Sequence, residues 1–206
     1  MTKVSILIAD DHTIVRIGLK ALFEYETDIS VIGEATNGED AVRKAIELHP
    51  DVVIMDLVMP KLDGAEATRQ ILTKAPDTKV LILTTFGASD GVAHALENGA
   101  AGAMMKTTDD TKIVSAIRKI AQGRKYISPD IQKLLAENPP APRLSSRQEE
   151  VLGSITRGHT NKEIAAQLGI RLDSVEDIVV SLCKKLGAAN RAEAVAIALR
   201  KQLLKI

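Results

Sequence analysis

Four short, almost wholly apolar runs punctuate the first half of the chain: Ile6–Ala9, Val52–Met55, Val80–Leu83 and Ala103–Met105. Each lacks polar alternation and is too short for a globular helix, so each reads as a strand buried on both faces. Helically spaced stretches separate them, near 13–24, 38–49, 64–75, 89–98 and 109–122. Strand and helix alternating in this way build a parallel sheet with helices on both sides. The expected class is therefore α/β, a doubly wound (βα)5 domain. Helix starts are visible within it: Asn37 precedes Asp40 by three residues, and Asp63-Gly64-Ala65-Glu66 has the form of a capping box. Gly38, Gly64, Gly99 and Gly102 are expected at turns.

Polar residues sit at the carboxyl end of each apolar run, where open α/β sheets bind ligands. Asp10 and Asp11 follow the first run, Asp56 the second, Thr84 the third and Lys106 the fourth. Three carboxylates sharing a pocket repel one another unless a cation is present. Magnesium suits such a set, because it takes carboxylate, water and phosphate oxygens. Asp56, on the middle strand, can then act as a nucleophile that becomes an aspartyl phosphate. Lys106 would balance phosphoryl oxygens, and Thr84 supplies a hydroxyl that can move toward them. Magnesium prefers oxygen, so His12 reads as a helix-start residue rather than a metal ligand. Met55, Met59, Met104 and Met105 read as core and pocket wall.

The second half changes character. Residues 123–142 read as a linker, and Asn138–Pro142 within it disfavours helix. Ser145 stands three residues before Gln148, and Thr160 three before Glu163, so two capping boxes open helices, one to about Arg157 and one over Asn161–Leu168. Gly169 ends the second. A third helix puts Val175, Ile178, Val179, Leu182 and Leu186 on one face. A fourth, Arg191–Leu204, carries an apolar stripe of Ala194, Val195, Ala198 and Leu199. Residues 143–206 are thus a small all-α helix-turn-helix domain, and 1–122 the α/β domain.

The stretches ILIADDHTIVRIGL (6–19), VVIMDLVMPKLDG (52–64), VLILTT (80–85) and GAAGAMMK (99–106) resemble the receiver domain of bacterial two-component response regulators. Residues 143–204 resemble the helix-turn-helix output domain of the NarL/FixJ, or LuxR-type, subfamily. The resemblance implies a flavodoxin-like receiver with Asp56 as the phosphorylated aspartate. Asp10 and Asp11 match the metal carboxylates, Thr84 the switch hydroxyl and Lys106 the phosphate-binding lysine. It implies a non-enzymatic transcription regulator controlled by phosphorylation, with Mg2+ as cofactor and a sensor histidine kinase and DNA as partners. It also implies a homodimer on phosphorylation, for which the fourth helix's stripe offers a surface as well as a core face.

Two regions depart from that pattern. The third helix of LuxR-type domains usually opens with a Ser cap and presents Thr-Val-Lys-x-His toward DNA. Here Arg171 stands at the cap, followed by Ser174-Val175-Glu176-Asp177-Ile178. With the apolar residues inward, Asp173, Glu176, Asp177 and Val180 face outward, where phosphate repels acid. In one reading Asp173 replaces the lost cap with Glu176 three residues on, DNA is gripped by Lys162, Arg171, Lys184, Lys185 and Arg191, with Ser174 among the contacts, and Glu176 or Asp177 accepts from a cytosine amino group. In the other, the domain has lost ordinary operator binding and serves a protein partner. The second departure is Ala103, three residues before Lys106, where the family carries an aromatic that rotates during switching. Phe86 is a candidate substitute. A third class, a phosphatase with an aspartyl-phosphate intermediate, fits the acceptor site but not the helix-turn-helix.

Charge and cysteine usage agree with a soluble two-domain regulator. The net charge of +0 hides an asymmetry: residues 1–125 carry 15 Lys+Arg against 18 Asp+Glu, and residues 126–206 carry 12 against 9. A mildly basic output domain fits nucleic acid, though faintly. Cys183 stands alone, which excludes an internal disulfide and fits a reducing cytoplasm; it reads as a small buried residue. No membrane-length apolar run and no signal peptide are visible.

Overall fold

The computed structural model describes residues 3–85, 89–140, 144–200 and 203. The chain divides into two compact units, Met1–Pro140 and Ala141–Ile206. Phe86, the carboxyl end of the segment read as linker and the end of the fourth helix near Leu204 lie outside the described residues.

The first unit is built on a parallel sheet: β1 (Val4–Ala9), β2 (Ile29–Ala35), β3 (Val52–Met55), β4 (Lys79–Thr84), β5 (Gly102–Met105) and β6 (Tyr126–Ile127), in the order β2-β1-β3-β4-β5-β6. The helices between them are α1 (Thr13–Glu24), α2 (Gly38–Leu48), α3 (Gly64–Lys74), α4 (Ser89–Glu97) and α5 (Asp110–Ala121). Strand side chains alternate between two cores. Leu7, Val53, Val80 and Ala103 pack with Ala45 of α2, Ile71 of α3 and Val92 of α4. Ile6, Ile54, Leu81 and Met104 pack with Phe23 of α1 and Ile117 of α5. Burial on both faces explains the continuous apolar runs, and the four methionines read as core and wall are all buried.

The linker expectation gives way in part. Tyr126–Ile127 pairs with Gly102 and Ala103 of β5, and α6 (Pro129–Glu137) follows at once. Ser128 caps α6, its Oγ accepting from the Ile131 N–H at 3.4 Å, and Pro129 begins the helix. Ile131 is fully buried in the core that holds Ala103, with Leu134 and Leu135 packed against it. The apolar spacing 131, 134, 135 builds a helix inside the stretch read as linker, and the helix-disfavouring prolines fall after it. Gly102, expected at a turn, opens β5 instead. A Cβ there would lie 2.4 Å from the Tyr126 carbonyl oxygen, so only glycine admits β6 alongside.

The second unit holds α7 (Ser146–Thr156), α8 (Asn161–Leu168), α9 (Leu172–Leu186) and α10 (Arg191–Arg200) around Val151, Leu152, Ile164, Val175, Leu182 and Ala198. Both capping boxes form as read, and Gly169 ends α8 in the left-handed region at φ 64°. Asp173 is not the cap of α9. The helix starts at Leu172, Arg171 occupies the cap with no side-chain bond, and Asp173 lies in the first turn. Ala194 and Ala198 of the fourth helix face the core, whereas Leu199 is 51% exposed. Cys183 is half-buried rather than buried.

Candidate functional site

The parallel ladder continues one residue beyond the strands and thereby fixes the acidic pocket. Ala9 pairs with Met55 and Thr84 with Met105, while Met55 lies opposite Ile82, so β4 and β5 run two residues past the ends of β1 and β3. The Asp10 N–H donates to the Ala35 carbonyl at 3.1 Å, Asp56 to Ala9 at 2.9 Å and Lys106 to Thr84 at 2.7 Å. The three backbones are therefore held by the same ladder of hydrogen bonds as the strands.

Their side chains meet. Lys106 Nζ lies 2.7 Å from Asp10 Oδ2 and 2.8 Å from Asp56 Oδ2, with both carboxylates buried and Lys106 half-buried. The other Asp56 oxygen accepts from the Leu57 N–H at 2.8 Å. His12 is the first residue before α1; its N–H donates to Asp10 Oδ1 at 2.8 Å, and its Nδ1 lies 2.8 Å from Asp11 Oδ1. Burial pushes the Asp56 carboxyl up, with help from Asp10, although Lys106 opposes it. Burial also pulls Lys106 down, but its bonds to both carboxylates outweigh this and hold the ammonium above its ordinary range. Thr84 is buried, with its hydroxyl donating to the Thr85 carbonyl at 3.3 Å.

Asp10, Asp11, His12 and Asp56 each turn a ligand-capable atom into a space where these atoms lie within 4.8 Å of one another. Three of the four donors are carboxylate oxygens, the chemistry a small hard cation prefers over imidazole. The residues therefore fit magnesium, with His12 holding the two outer carboxylates.

In the second unit, α8, a glycine turn and α9 form a helix-turn-helix. Asp173, Glu176, Asp177 and Val180 are all exposed on α9, as their spacing predicts. Arg171 pairs with Asp173 at 3.2 Å on the surface. Lys162, Glu176 and Arg191 share an open cavity of about 520 Å³ with Thr160 and Asn161. Arg191 is half-buried and already committed, donating to Asn161 Oδ1 at 3.0 Å and to the His159 carbonyl, so it joins α10 to the start of α8. Lys184 and Lys185 are exposed at the far end of α9, away from that cavity; Lys185 bonds Gln148 Oε1 at 3.3 Å. Ser174 is half-buried.

Residues 6–118 match the family model described as the response regulator receiver domain. The chain is a response regulator. Residues 142–198 match the model of the bacterial regulatory proteins of the luxR family, so a receiver is followed by a LuxR-type DNA-binding domain, the build of a phosphorylation-controlled transcriptional regulator. It is 39% identical to the transcriptional regulatory protein LiaR of Bacillus subtilis, over 98% of this chain and 99% of that protein. It is 37% identical to the oxygen regulatory protein NreC of Staphylococcus carnosus, over 97% and 98%. Among solved structures, the response regulator ChrA of a heme-sensing two-component system is 31% identical with a TM-score of 0.60, covering 99% of this chain and all 100% of that one. An RcsB–DNA complex is 25% identical with a TM-score of 0.66, covering 97% and 99%.

Two contributors to this response regulator's pocket were not foreseen. Arg16, one turn into α1, donates to the Asp10 carbonyl at 2.8 Å and to Glu34 at 3.2 Å, pinning the acidic loop from outside. An arginine on the helix that follows the acidic pair was the available signal. Gly64 lies so close to Asp56 that a Cβ would meet its carbonyl oxygen at 2.0 Å, so this glycine serves close approach. No helix among the described residues is long and apolar enough to cross a membrane.

Proposed function

We propose that Asp56 is the phosphoacceptor of a transcriptional regulator that works in the cytoplasm, dimerises on phosphorylation and then binds operator DNA. The observation carrying this reading is the buried Asp10–Lys106–Asp56 group beside Asp11. An Asp56 oxygen attacks phosphorus in the phosphohistidine of a sensor kinase; the P–N bond breaks, and the imidazole leaves with a proton. Asp10, Asp11 and Asp56 would hold a magnesium ion, which when bound neutralises charge on the transferring group. Lys106, released from sharing Asp56, balances the new phosphoryl oxygens. Thr84 then turns its hydroxyl from the Thr85 carbonyl toward the phosphate. Ala103 has no rotamer to swing in response, so the switch passes by a route other than an aromatic at that position. The protein does not turn substrate over.

Operator binding draws support from the intact helix-turn-helix and from the similarity to RcsB, solved with DNA. The acidic face of α9 favours a second reading, in which that helix docks on a protein. Acetyl phosphate with magnesium should add one phosphate to the wild type and none to Asp56→Asn; undiminished labelling of the variant would sink the acceptor assignment. Selection from a random duplex pool separates the two output readings, because a protein-docking helix enriches no motif.

A further inference from the structure

The outward face of α9 carries an unusual set of groups for a helix that enters DNA. Asp173, Glu176, Asp177, Val180 and Lys184 share one side of the helix and are all exposed. Asp173 is engaged by Arg171. Glu176 and Asp177 make no ion pair or side-chain hydrogen bond among the described residues, and Glu176 borders the open cavity with Lys162, Thr160 and Asn161. One turn further on, Val180 leaves 68% of its surface in water, on a helix whose other apolar residues are buried or half-buried.

We propose that Glu176 reads a cytosine through its N4 amino group and that Val180 packs on the methyl group of a thymine nearby, an inference resting on the operator-binding reading above. The argument is one of elimination on the groove floor. A carboxylate only accepts hydrogen bonds. Guanine presents N7 and O6, both acceptors, and thymine presents O4 and a methyl group. Adenine offers an amino donor, but its N7 acceptor lies beside it and repels the second carboxylate oxygen. Cytosine's amino donor has the paired guanine's O6 on one side but an apolar C5–H on the other, whereas adenine's lies between two acceptors. A carboxylate brought out of water without a donor is strongly disfavoured, so Glu176 selects by rejection as much as by attraction. Lys162, exposed beside Glu176 on the same cavity, supplies cationic charge against phosphate repulsion. Val180 is four residues on, a rise of about 6 Å, which places the thymine within roughly two base pairs of the cytosine.

The test uses the full chain after treatment with acetyl phosphate and magnesium, selecting from random duplex DNA. The enriched motif should hold one fixed cytosine with a thymine within about two positions. Replacing that cytosine by N4-methylcytosine keeps the Watson–Crick pair and fills only the groove-side N–H. Binding by the unaltered protein should then weaken roughly ten- to a hundredfold. Glu176→Gln should move the preference at that position toward adenine and lose the sensitivity to methylation. A motif that is indifferent both to the methyl group and to Glu176→Gln overturns this inference and leaves operator binding standing. A selection that enriches nothing overturns both.

Discussion

Replacing Lys106 by methionine isolates the electrostatics of the acidic pocket. Its ammonium sits 2.7 Å from Asp10 and 2.8 Å from Asp56, and each contact represents about 6 kcal/mol of attraction at an effective dielectric of about 20. Mutual repulsion of the carboxylates and burial of the three groups offset most of that. Removing one partner from such a buried set leaves a net destabilisation of about 3–5 kcal/mol, a large part of an ordinary domain's stability. The sign of the pH dependence follows from Asp56. Burial raises its carboxyl above the ordinary carboxylate range, with Lys106 opposing. A raised carboxyl contributes stability below its unfolded value and loses it as pH rises through the folded one. Without Lys106 the folded value climbs further, so the defect should be larger near pH 7 than near pH 5. The assay is urea unfolding in chelator, followed by tyrosine emission. Both tyrosines, Tyr25 and Tyr126, lie in the first unit and there is no tryptophan, so the signal reports the receiver alone. Adding Asp56→Asn to Lys106→Met should recover much of the loss. An unchanged midpoint near neutral pH, or a defect that grows on acidification, would refute the reasoning.

Gly64→Ala forces a Cβ against the Asp56 carbonyl, 2.0 Å away, and should lower receiver stability by about 1–3 kcal/mol in the same assay; an unshifted midpoint would mean the loop yields freely. Ile131→Ala removes a fully buried side chain from α6 and should cost the receiver about 2–5 kcal/mol, whereas a residue of a free linker would cost nothing. Asp11→Ala takes one oxygen donor and one charge from the pocket, so calorimetric titration with magnesium should show clearly weaker binding, and equal affinity would place the ion elsewhere.

The receiver was legible because its signals are redundant. Each buried strand runs straight into a chemically distinct residue, so order along the chain located Asp10, Asp56, Thr84 and Lys106 before any fold was known. The helical period likewise gave the outward face of α9 residue by residue. Failures came where a signal was short or needed a third dimension. Two residues of β6 carry no periodicity, and the prolines after α6 masked the Ser128–Pro129 start that precedes it. Capping chemistry misplaced the start of α9, since Leu172 enters the helix although Arg171 offers no cap bond. An arginine on α1 hinted at the bond Arg16 makes back to the Asp10 carbonyl, but nothing in the string of letters could show that Gly64 touches Asp56.

The small sixth strand also decides where the receiver can be cut. Without it β5 becomes the margin of the sheet, offering the unpaired backbone of Gly102 and Ala103 in a run that ends in two methionines. Such a margin is a template for another chain to add to, and a short strand followed at once by a helix is one way proteins blunt it. A fragment ending at residue 122, where α5 stops, would strip away Tyr126, Ile127 and the helix that seats Ile131, and should associate edge to edge as its concentration rises. A fragment ending near residue 138 keeps the guard in place and should stay monodisperse until phosphorylated.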